Sequence, residues 1–504
     1  MKSNEEIRSV EDRSSRTSKV KKQMLLRELY KILPISSVLS EEEDLRPYEC
    51  DALSAYRQLP LIVVLPDSIE QVQSIMALCY EHLVPVVARG AGTGLSGGAL
   101  PVGNGIVLSL AKFMSILHID PMARTATVQP GVRNSAISEA VSGYELYYAP
   151  DPSSQIACTI GGNVAENSGG VHCLKYGLTV HNILQVRMVN MQGELITLGS
   201  EALDTNGYDL LALITGSEGM LGVIVEVIVR LLAKPERAQV MLISFDDVEK
   251  AGDAVNKIIA AGIIPGGLEL MDKLAIQAAE DFVHVGYPLD AEALLLCELD
   301  GSSEEVSEHI HVIRELMLQC DAIEVRTARD EAERLAFWKG RKSAFPAVGR
   351  LAPDYYCMDG TIPRKHLAQV LRYINDLSTE YNLPVANVFH AGDGNLHPLI
   401  LYDANKPGEL EKTEEFGDKI LKLCVEVGGC ITGEHGVGIE KINQMHHQFS
   451  SAELEQFHAI KKAFDDRGLL NPGKAVPTPK RCSEYKTLPQ QKQETSRMGT
   501  QVNE

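Results

Sequence analysis

Two spacings of apolar residues alternate along the chain, and they predict a mixed α and β fold. Residues 61–65 form a short apolar run that is typical of a buried strand. A helical pattern follows, and Ser68 and Gln71 fit a capping box at its beginning. Apolar residues recur through it at helical spacing, at Ile69, Val72, Ile75, Met76 and Leu83. Residues 85–88 then predict a second strand, so the first unit reads strand, helix, strand.

The pattern changes near Pro235, which we interpret as a domain boundary. Beyond it, strand-like runs at 240–245, 293–299 and 323–325 alternate with long helical patterns at 247–261 and 304–319. Helical patterns over 364–381 and 409–427 are accompanied by further strand-like runs at 384–390, 397–402 and 430–432. This succession predicts an α+β domain built on an antiparallel sheet.

A glycine-rich loop, RGAGTGLSGGA at 89–99, follows the second strand. Residues 92–97 match the G-x-G-x-x-G spacing, but a dinucleotide-binding fold of the Rossmann type needs a helix directly after the loop. Here Pro and Gly residues between 101 and 105 break any helix, and 106–110 predicts another strand. The loop is therefore either a tight turn without a ligand or a nest of backbone amides for a phosphate, with Arg89 adding charge.

Three further segments are rich in Gly, Ser, Thr and Asn, at 150–170, 176–177 and 215–222. Glycine pairs flanked by short polar residues permit close backbone contact with a large polar ligand. Each segment alone is weak evidence. All four together, between residues 89 and 222, indicate one long ligand lying across one domain.

Histidines and a carboxylate occur in two glycine-flanked loops nearer the C-terminus. HAGDGNLH places His390 and His397 around a turn between two strands, and GEHG supplies Glu434 and His435. Two imidazoles with a carboxylate suit Zn²⁺, Mn²⁺ or Fe²⁺ and leave coordination positions open. A single His is usually structural. Three His and one Glu without helical spacing favour a metal or catalytic site.

Charge and cysteine content narrow the class of protein. The 504 residues include 68 acidic and 48 basic side chains, and this net charge of −20 argues against nucleic acid as the main partner. The ten cysteines include no Cys-x-x-Cys, so we expect no disulfide framework, zinc ribbon or iron–sulfur cluster in this chain. No secretory signal or long apolar run is visible, and we expect reduced thiols in a cytoplasmic protein.

Both ends of the chain are polar and weakly basic. Residues 1–22 carry seven Lys or Arg against four Asp or Glu, and residues 474–504 carry six against three. We expect both ends to be disordered tails. Weak attachment to a membrane surface or an acidic partner is the alternative.

Five motifs in this order resemble one family. They are RGAGTGLSGGA, PDPSSQIACTIGGNVAENSGG, TGSEGMLG, FHAGDGNLH and GEHGVG, at 89–99, 150–170, 215–222, 389–397 and 433–438. They are similar to FAD-linked oxidases of the vanillyl-alcohol-oxidase superfamily, in the branch of the glycolate, D-lactate and D-2-hydroxyglutarate dehydrogenases. The resemblance covers roughly residues 45–475.

This resemblance implies an α+β fold, with a two-subdomain FAD-binding domain of the vanillyl-alcohol-oxidase (PCMH) type and an α+β cap domain with an antiparallel sheet. The implied divisions are a polar tail and first helix at 1–45, the FAD-binding domain at 46–235 and the substrate (cap) domain at 236–430. A segment at 431–475 would return to the flavin, and 476–504 would be a disordered tail.

The resemblance also implies non-covalent FAD, because no His occupies the 89–99 loop, where some relatives attach the flavin. The implied FAD-binding residues are Arg89, Gly90, Ala91, Gly92, Thr93, Gly94, Pro150, Asp151, Gly161, Gly162, Asn163, Ala165, Gly170, Glu218, Gly222 and Ile224. One divalent metal, Zn, Mn or Fe, would be held by His390, His397 and Glu434. His435 would be the catalytic base, and Arg341 would bind the substrate carboxylate.

Two positions bear on the substrate. Relatives that oxidise D-2-hydroxyglutarate have Lys where Cys357 stands and Asn where Leu399 stands. Neither residue here donates a strong hydrogen bond, and burying a second carboxylate without partners is costly. The implied reaction is therefore oxidation of a short 2-hydroxy acid by metal-assisted hydride transfer to flavin, glycolate to glyoxylate or D-lactate to pyruvate.

Electrons must then leave to another chain. The resemblance implies a second FAD-domain-like subunit and an iron–sulfur subunit in a complex that feeds the respiratory chain. These partners would place the chain at the inner face of the plasma membrane, without a span of its own. Three other functions stay open: a non-catalytic FAD-binding subunit, a zinc hydrolase whose glycine loops are only turns, and a D-lactate or other D-2-hydroxyacid dehydrogenase acting alone.

Overall fold

The structure is a computed structural model, and it describes residues 20–202 and 207–477. Residues 20–32 are helical and bury Leu25 and Leu29 in an apolar cluster. The ordered chain therefore extends into the segment that was expected to be a disordered tail. The rest of the two expected tails, at 1–19 and 478–504, lies outside the described residues.

The first sheet has four strands. In spatial order they are Val38–Leu39, Ile62–Val64, Ile106–Ser109 and Val86–Arg89, and the last three are parallel. Helix Ile69–Glu81 begins at Ser68, which accepts the N–H of Gln71. The strand–helix–strand prediction is confirmed, and so is the absence of a helix between Val86–Arg89 and Ile106–Ser109.

The second sheet has five antiparallel strands. In spatial order they are Ile116–Asp120, Thr125–Val128, Val223–Arg230, Ile183–Val189 and Leu195–Gly199. Helices Asn134–Val141 and Ile160–Glu166 bury apolar residues in the same cluster as these strands. The second helix follows directly on the segment 150–159, so this sheet supports one of the glycine-rich segments.

The third sheet has seven antiparallel strands, as the sequence predicted for the second half of the chain. In spatial order they are Glu324–Thr327, Arg237–Phe245, Ala293–Gly301, Gly267–Asp272, Val385–Phe389, Pro398–Tyr402 and Asp354–Cys357. Alternate side chains face opposite sides, so Met241 and Ile243 join one core and Val240 and Leu242 join another. Burial on both sides explains the continuous apolar runs in the sequence.

Helices cover both faces of this sheet. One face packs against Val248–Ala260, Ser303–Leu318, Leu367–Tyr381 and Glu409–Glu426. The other packs against Lys273–Val283, Glu331–Lys342 and Ala344–Val348. None of the helices in the described ranges is both long and apolar enough to span a membrane.

Short elements complete the described chain. The helical ones are Ile35–Ser37, Glu42–Leu45, Arg46–Tyr48, Ser142–Tyr144, Cys173–Tyr176, Thr179–Asn182, Leu210–Ile214, Arg364–His366 and Met445–Gln448. Two strand pairs are Leu146–Tyr147 with Leu232–Ala233 and Gly360–Thr361 with Asn395–Leu396. After helix Ser451–Phe464, Leu470 forms a bridge with Val86, so the chain end returns to the first sheet.

The strand predicted at 430–432 is wrong. Cys430 makes only a single bridge, to Thr361. The next backbone N–H groups, from Gly433 onward, point to the carboxylate of Asp359 instead of to a neighbouring strand. The backbone at Glu434 therefore no longer pairs with a neighbouring strand.

Candidate active site

Two of the glycine-rich segments, at 89–99 and 150–170, contact each other. A Cβ added to Gly90 would lie 2.3 Å from Oγ1 of Thr159, and one added to Gly98 would lie 2.8 Å from Oε1 of Glu166. Gly92 has a φ of +73°, which favours glycine. Residues without side chains thus let the loop 89–99 lie directly against the segment 159–166.

This cradle fits the phosphates of FAD. Oγ1 of Thr159 is buried beside Gly90 and lacks a hydrogen-bond partner. Leaving a buried hydroxyl unpaired costs about 1–3 kcal/mol, so the cradle favours a ligand that can pair with it. Backbone amides of a glycine loop together with a hydroxyl suit a phosphate group.

Four of the residues implied to bind FAD use their side chains in contacts within the protein: Arg89, Asp151, Asn163 and Glu218. Nδ2 of Asn163, for example, donates to Oδ1 of Asn134 at 2.8 Å. Ile224 is buried in the second sheet. These contacts shape the cradle, and the direct contact of each residue with FAD stays a prediction.

His390, His397 and Glu434 come together. Oε1 of Glu434 lies 3.4 Å from Nε2 of His390 and 3.3 Å from Nε2 of His397. Ligands about 2.1 Å from a tetrahedral zinc ion are about 3.4 Å from one another. Nε2 of both histidines is buried without a hydrogen-bond partner. The three side chains therefore fit a divalent cation.

Glu269 contacts His390 at the ring nitrogen that does not face Glu434. Its Oε1 lies 2.8 Å from Nδ1 of His390, and a carboxylate in that position orients the ring and strengthens Nε2 as a ligand. Burial lowers the pKa of His390, but Glu269 and Glu434 outweigh burial and raise that pKa well above its usual value. The space between His390 and Glu434 thus favours a positive charge, either a proton or a metal ion.

Arg341 lies beside the same carboxylate. Helix Glu331–Lys342 carries it, and its Nη2 lies 2.5 Å from Oε2 of Glu269. The Arg341 side chain is buried, and its Nε lacks a hydrogen-bond partner. A buried guanidinium with donors to spare can bind a carboxylate of a ligand.

The ring of His435 stacks on the ring of His397. The ring centroids are 4.9 Å apart and the planes differ by 4°. Burial lowers the pKa of His435 to about 4, despite the nearby carboxylate of Asp359. Nδ1 of His435 is buried and has no hydrogen-bond partner. The imidazole is therefore neutral at neutral pH, and its unpaired nitrogen can accept a proton from a bound group whose own pKa is lowered.

Sequence reasoning missed Glu269, Asp359 and Lys441. Asp359 and Lys441 are fully buried, and Nζ of Lys441 lies 3.1 Å from Oδ2 of Asp359. Although burial raises it, Lys441 and His435 hold the pKa of Asp359 well below its usual value. A signal existed, since Glu269 and Asp359 are single charged residues within apolar runs, and buried carboxylates are rare unless they are paired.

Two protein-family models match the chain. The model for the C-terminal domain of FAD linked oxidases matches residues 234–475, and an FAD binding domain model matches residues 60–199. The glycine cradle lies within the match to the FAD binding domain, and His390, His397 and Glu434 lie within the match to the C-terminal domain.

Curated relatives are similar over most of their length. The glycolate oxidase subunit GlcD of Escherichia coli K12 is 65% identical over 453 residues, which are 90% of this chain and 91% of that protein. The subunit of the same name from Bacillus subtilis 168 is 40% identical, over 85% of this chain and 91% of that protein.

Among solved structures, the fold is similar to 4-ethylphenol oxidase from Gulosibacter chungangensis. The TM-score is 0.76 at 17% identity, and the match covers 91% of this chain and 98% of that one. At this identity the likeness concerns the fold alone, and it confirms the expected α+β architecture. With the two family models and the relatives above, it follows that the chain belongs to the family of FAD-linked oxidases.

Proposed function

We propose that this chain oxidises a short 2-hydroxy acid, glycolate in the first place, with bound FAD and a divalent metal. One observation carries the proposal: Glu269 contacts both Arg341 and His390, Glu434 lies between His390 and His397, and the ring of His435 stacks on that of His397, so these groups form one largely buried site. The name and 65% identity of the E. coli relative support glycolate as the substrate.

The residues of the chain have separate tasks in this reaction. Bound FAD would supply the acceptor for the hydride of the substrate Cα, and a metal held by His390, His397 and Glu434 would lower the pKa of the substrate hydroxyl. Arg341 binds the substrate carboxylate, and Glu269 holds its guanidinium in orientation. His435 accepts the hydroxyl proton, because burial keeps the imidazole neutral. The product is a 2-oxo acid, glyoxylate from glycolate.

An apolar pair lies close to this site. Cys357 and Leu399 are directly opposite each other on neighbouring antiparallel strands, and both are buried. Both belong to an apolar cluster against which Phe345 packs, and the ring of Phe345 lies edge-on to the ring of His397, with the centroids 5.9 Å apart. An apolar wall therefore lies beside His397, which supports a monocarboxylate without a second charged group.

The first experiment is anaerobic mixing of the purified holoprotein with a substrate while the flavin absorbance is followed. Glycolate, D-lactate and D-2-hydroxyglutarate are compared at matched concentration, with and without a chelator. We expect glycolate to bleach the flavin fastest, D-2-hydroxyglutarate to bleach it least, and the chelator to slow all three. Failure of every 2-hydroxy acid to bleach the flavin would reject the proposal.

The role of His435 is tested by His435→Ala, with the exposed His118→Ala as the matched control. We expect the first variant to keep its FAD and to lose about 10²–10⁴ in the rate of flavin reduction, as when a general base is removed. The control is expected to behave as the wild type. Unimpaired bleaching in His435→Ala would exclude His435 as the base.

We further propose that reduced flavin passes its electrons to partner subunits. Relatives in two organisms are named as subunits of glycolate oxidase, which supports an assembly with other chains. A second flavin-type subunit and an iron–sulfur subunit are the partners that we propose. The isolated chain is then expected to turn over slowly with oxygen and much faster with a dye acceptor. Full turnover with oxygen alone would contradict this proposal.

A further inference from the structure

The segment Gly433–Gly438 carries both Glu434 and His435, yet it has no regular structure over 433–437. Its backbone N–H groups therefore lack the partners that a helix or a strand would provide. The orientation of a metal ligand and of a proton acceptor depends on what holds this segment. Two buried carboxylates do so, one from each half of the chain.

Asp359 holds the first part of the segment. Its carboxylate accepts the N–H of Gly433 at 3.0 Å, of Glu434 at 3.1 Å and of His435 at 2.9 Å. Lys441 is also fully buried and donates Nζ to the same carboxylate at 3.1 Å. Three consecutive amides on one charged, buried acceptor fix the direction of both functional side chains.

Glu218 holds the second part from the opposite side. It follows the glycine-rich cradle in the chain, and it accepts the N–H of Val437 and the N–H of Gly438, each at 2.7 Å. Oγ of Ser96, in the glycine-rich loop, donates to the carbonyl of His435 at 2.8 Å. The FAD-binding half of the chain therefore contacts the segment immediately after the proposed base.

Gly436 lies against Glu218 and against Glu166, a second buried carboxylate beside it. Its φ is +82°, and an added Cβ would lie 2.3 Å from Oε2 of Glu166 and 3.0 Å from the carboxylate carbon of Glu218. A side chain at this position would push the segment away from Glu218. The close approach is thus built into the sequence of the segment.

We propose that Asp359 and Glu218 are positioning residues that together orient Glu434 and His435. The proposal rests on the proposed function, because it concerns what holds the metal ligand and the base of that reaction. It also gives Glu218 a different task from the contact with FAD that the resemblance implied.

The test uses Glu218→Gln, Asp359→Asn and the double variant in the full-length holoprotein. Asp465→Asn is the matched control, since Asp465 is a buried carboxylate that accepts a backbone N–H from Leu470 and Nζ of Lys461, each at 2.7 Å. FAD per chain, metal per chain, the rate of flavin reduction at saturating glycolate and KM are measured for each.

We expect Glu218→Gln to keep its FAD and to reduce it about tenfold to hundredfold more slowly, as for a small misplacement of a reacting group. KM for glycolate should stay within about threefold of the wild-type value, because Arg341, which is proposed to bind the substrate carboxylate, lies outside the segment. Asp359→Asn should also lose metal. The double variant should be little slower than the slower single variant, since both changes release one segment.

Several outcomes would overturn the proposal. Glu218→Gln could lose FAD while the molecules that keep FAD turn over normally. That result would show that Glu218 binds the cofactor and does not position the segment. Rates equal to those of Asp465→Asn would show that the carboxylates do not position the segment. If wild type reduces no flavin with any 2-hydroxy acid, the proposed function fails, whereas the metal content of Asp359→Asn still tests the positioning role.

A measurement on the wild-type protein tests the proposal even if the variants do not fold. Hydrogen exchange of the peptide containing residues 433–438 is compared with that of the exposed loop at 404–408. Because five N–H groups of the segment are bonded to buried carboxylates, we expect slow exchange like that of a central strand. Exchange as fast as in the exposed loop would contradict the proposal.

Discussion

Nη2 of Arg341 lies 2.5 Å from Oε2 of Glu269, and the same carboxylate lies 2.8 Å from Nδ1 of His390. One buried side chain on strand Gly267–Asp272 therefore holds both the guanidinium proposed to bind substrate and a proposed metal ligand. The distance between these two groups is set by the central sheet and not by a loop.

Glu269→Gln is expected to weaken three properties together. Removing one partner of a buried ion pair costs about 3–5 kcal/mol, since Arg341 keeps its charge without compensation. We expect a lower thermal midpoint, less metal per chain and a higher KM for glycolate. Calorimetry, metal analysis and steady-state kinetics measure these, and the exposed Glu455→Gln is the control. An unchanged KM with only a lower midpoint would make Glu269 purely structural.

Arg341→Lys is expected to raise KM more than it lowers kcat. A lysine keeps the charge but cannot offer the two parallel donors of a guanidinium, and a hydrogen bond to a charged group contributes about 1.5–3 kcal/mol. This corresponds to a KM roughly tenfold to a hundredfold higher. Steady-state kinetics with glycolate and a dye acceptor measure it. A KM equal to that of the wild type would remove Arg341 from the carboxylate site.

Glu434→Gln is expected to reduce the metal content of the purified protein, because an amide is a weaker ligand than a carboxylate. FAD content should not change, since Glu434 is not among the contacts between the loop 89–99 and the segment 159–166 that form the cradle. Elemental analysis together with the flavin spectrum measures both quantities. The rate of flavin reduction should fall with the metal content, and added metal should restore part of it. Full metal content with a lost rate would place the metal elsewhere.

The double change Cys357→Lys with Leu399→Asn is expected to shift the substrate preference. The two side chains are opposite each other on neighbouring strands, so both new groups would lie on one wall. A second carboxylate would then find partners. We expect the ratio of kcat/KM for D-2-hydroxyglutarate to that for glycolate to rise. Equal ratios in the double variant and the wild type would remove this wall from the substrate site.

Glu440→Gln is expected to stabilise the protein at high pH. Burial raises the pKa of Glu440 to about 8, and both carboxylate oxygens lack hydrogen-bond partners. The folded chain therefore binds the proton more tightly than the unfolded chain, and this contribution to stability is lost as pH rises towards about 8. The gain in thermal midpoint from the variant should be larger near pH 9 than near pH 5. An equal gain in thermal midpoint near pH 5 and near pH 9 would contradict this prediction.

Local motifs of the chain were enough to identify the family, the glycine-rich cradle and the group of His390, His397 and Glu434. Each of these is encoded locally, in a motif of short range whose backbone requirements or ligand chemistry restrict the residue types. The major elements were also readable, because both helical and strand-like runs had clear apolar spacing. The strand at 430–432 was predicted wrongly, since Cys430 makes only a single bridge, to Thr361, and the N–H of Ile431 bonds to the side chain of Gln448 instead of to a neighbouring strand.

The residues that support the site could be identified only from the folded arrangement of the chain. Glu269 and His390 are 121 positions apart in the chain, and Glu218 and Val437 are 219 apart. No local pattern marks such a pair, because a buried carboxylate becomes tolerable only when folding brings donors to it. The sequence therefore identified the groups that are proposed to perform the chemistry, while the packing of the central sheet and the segment at 433–438 determined what holds them in place.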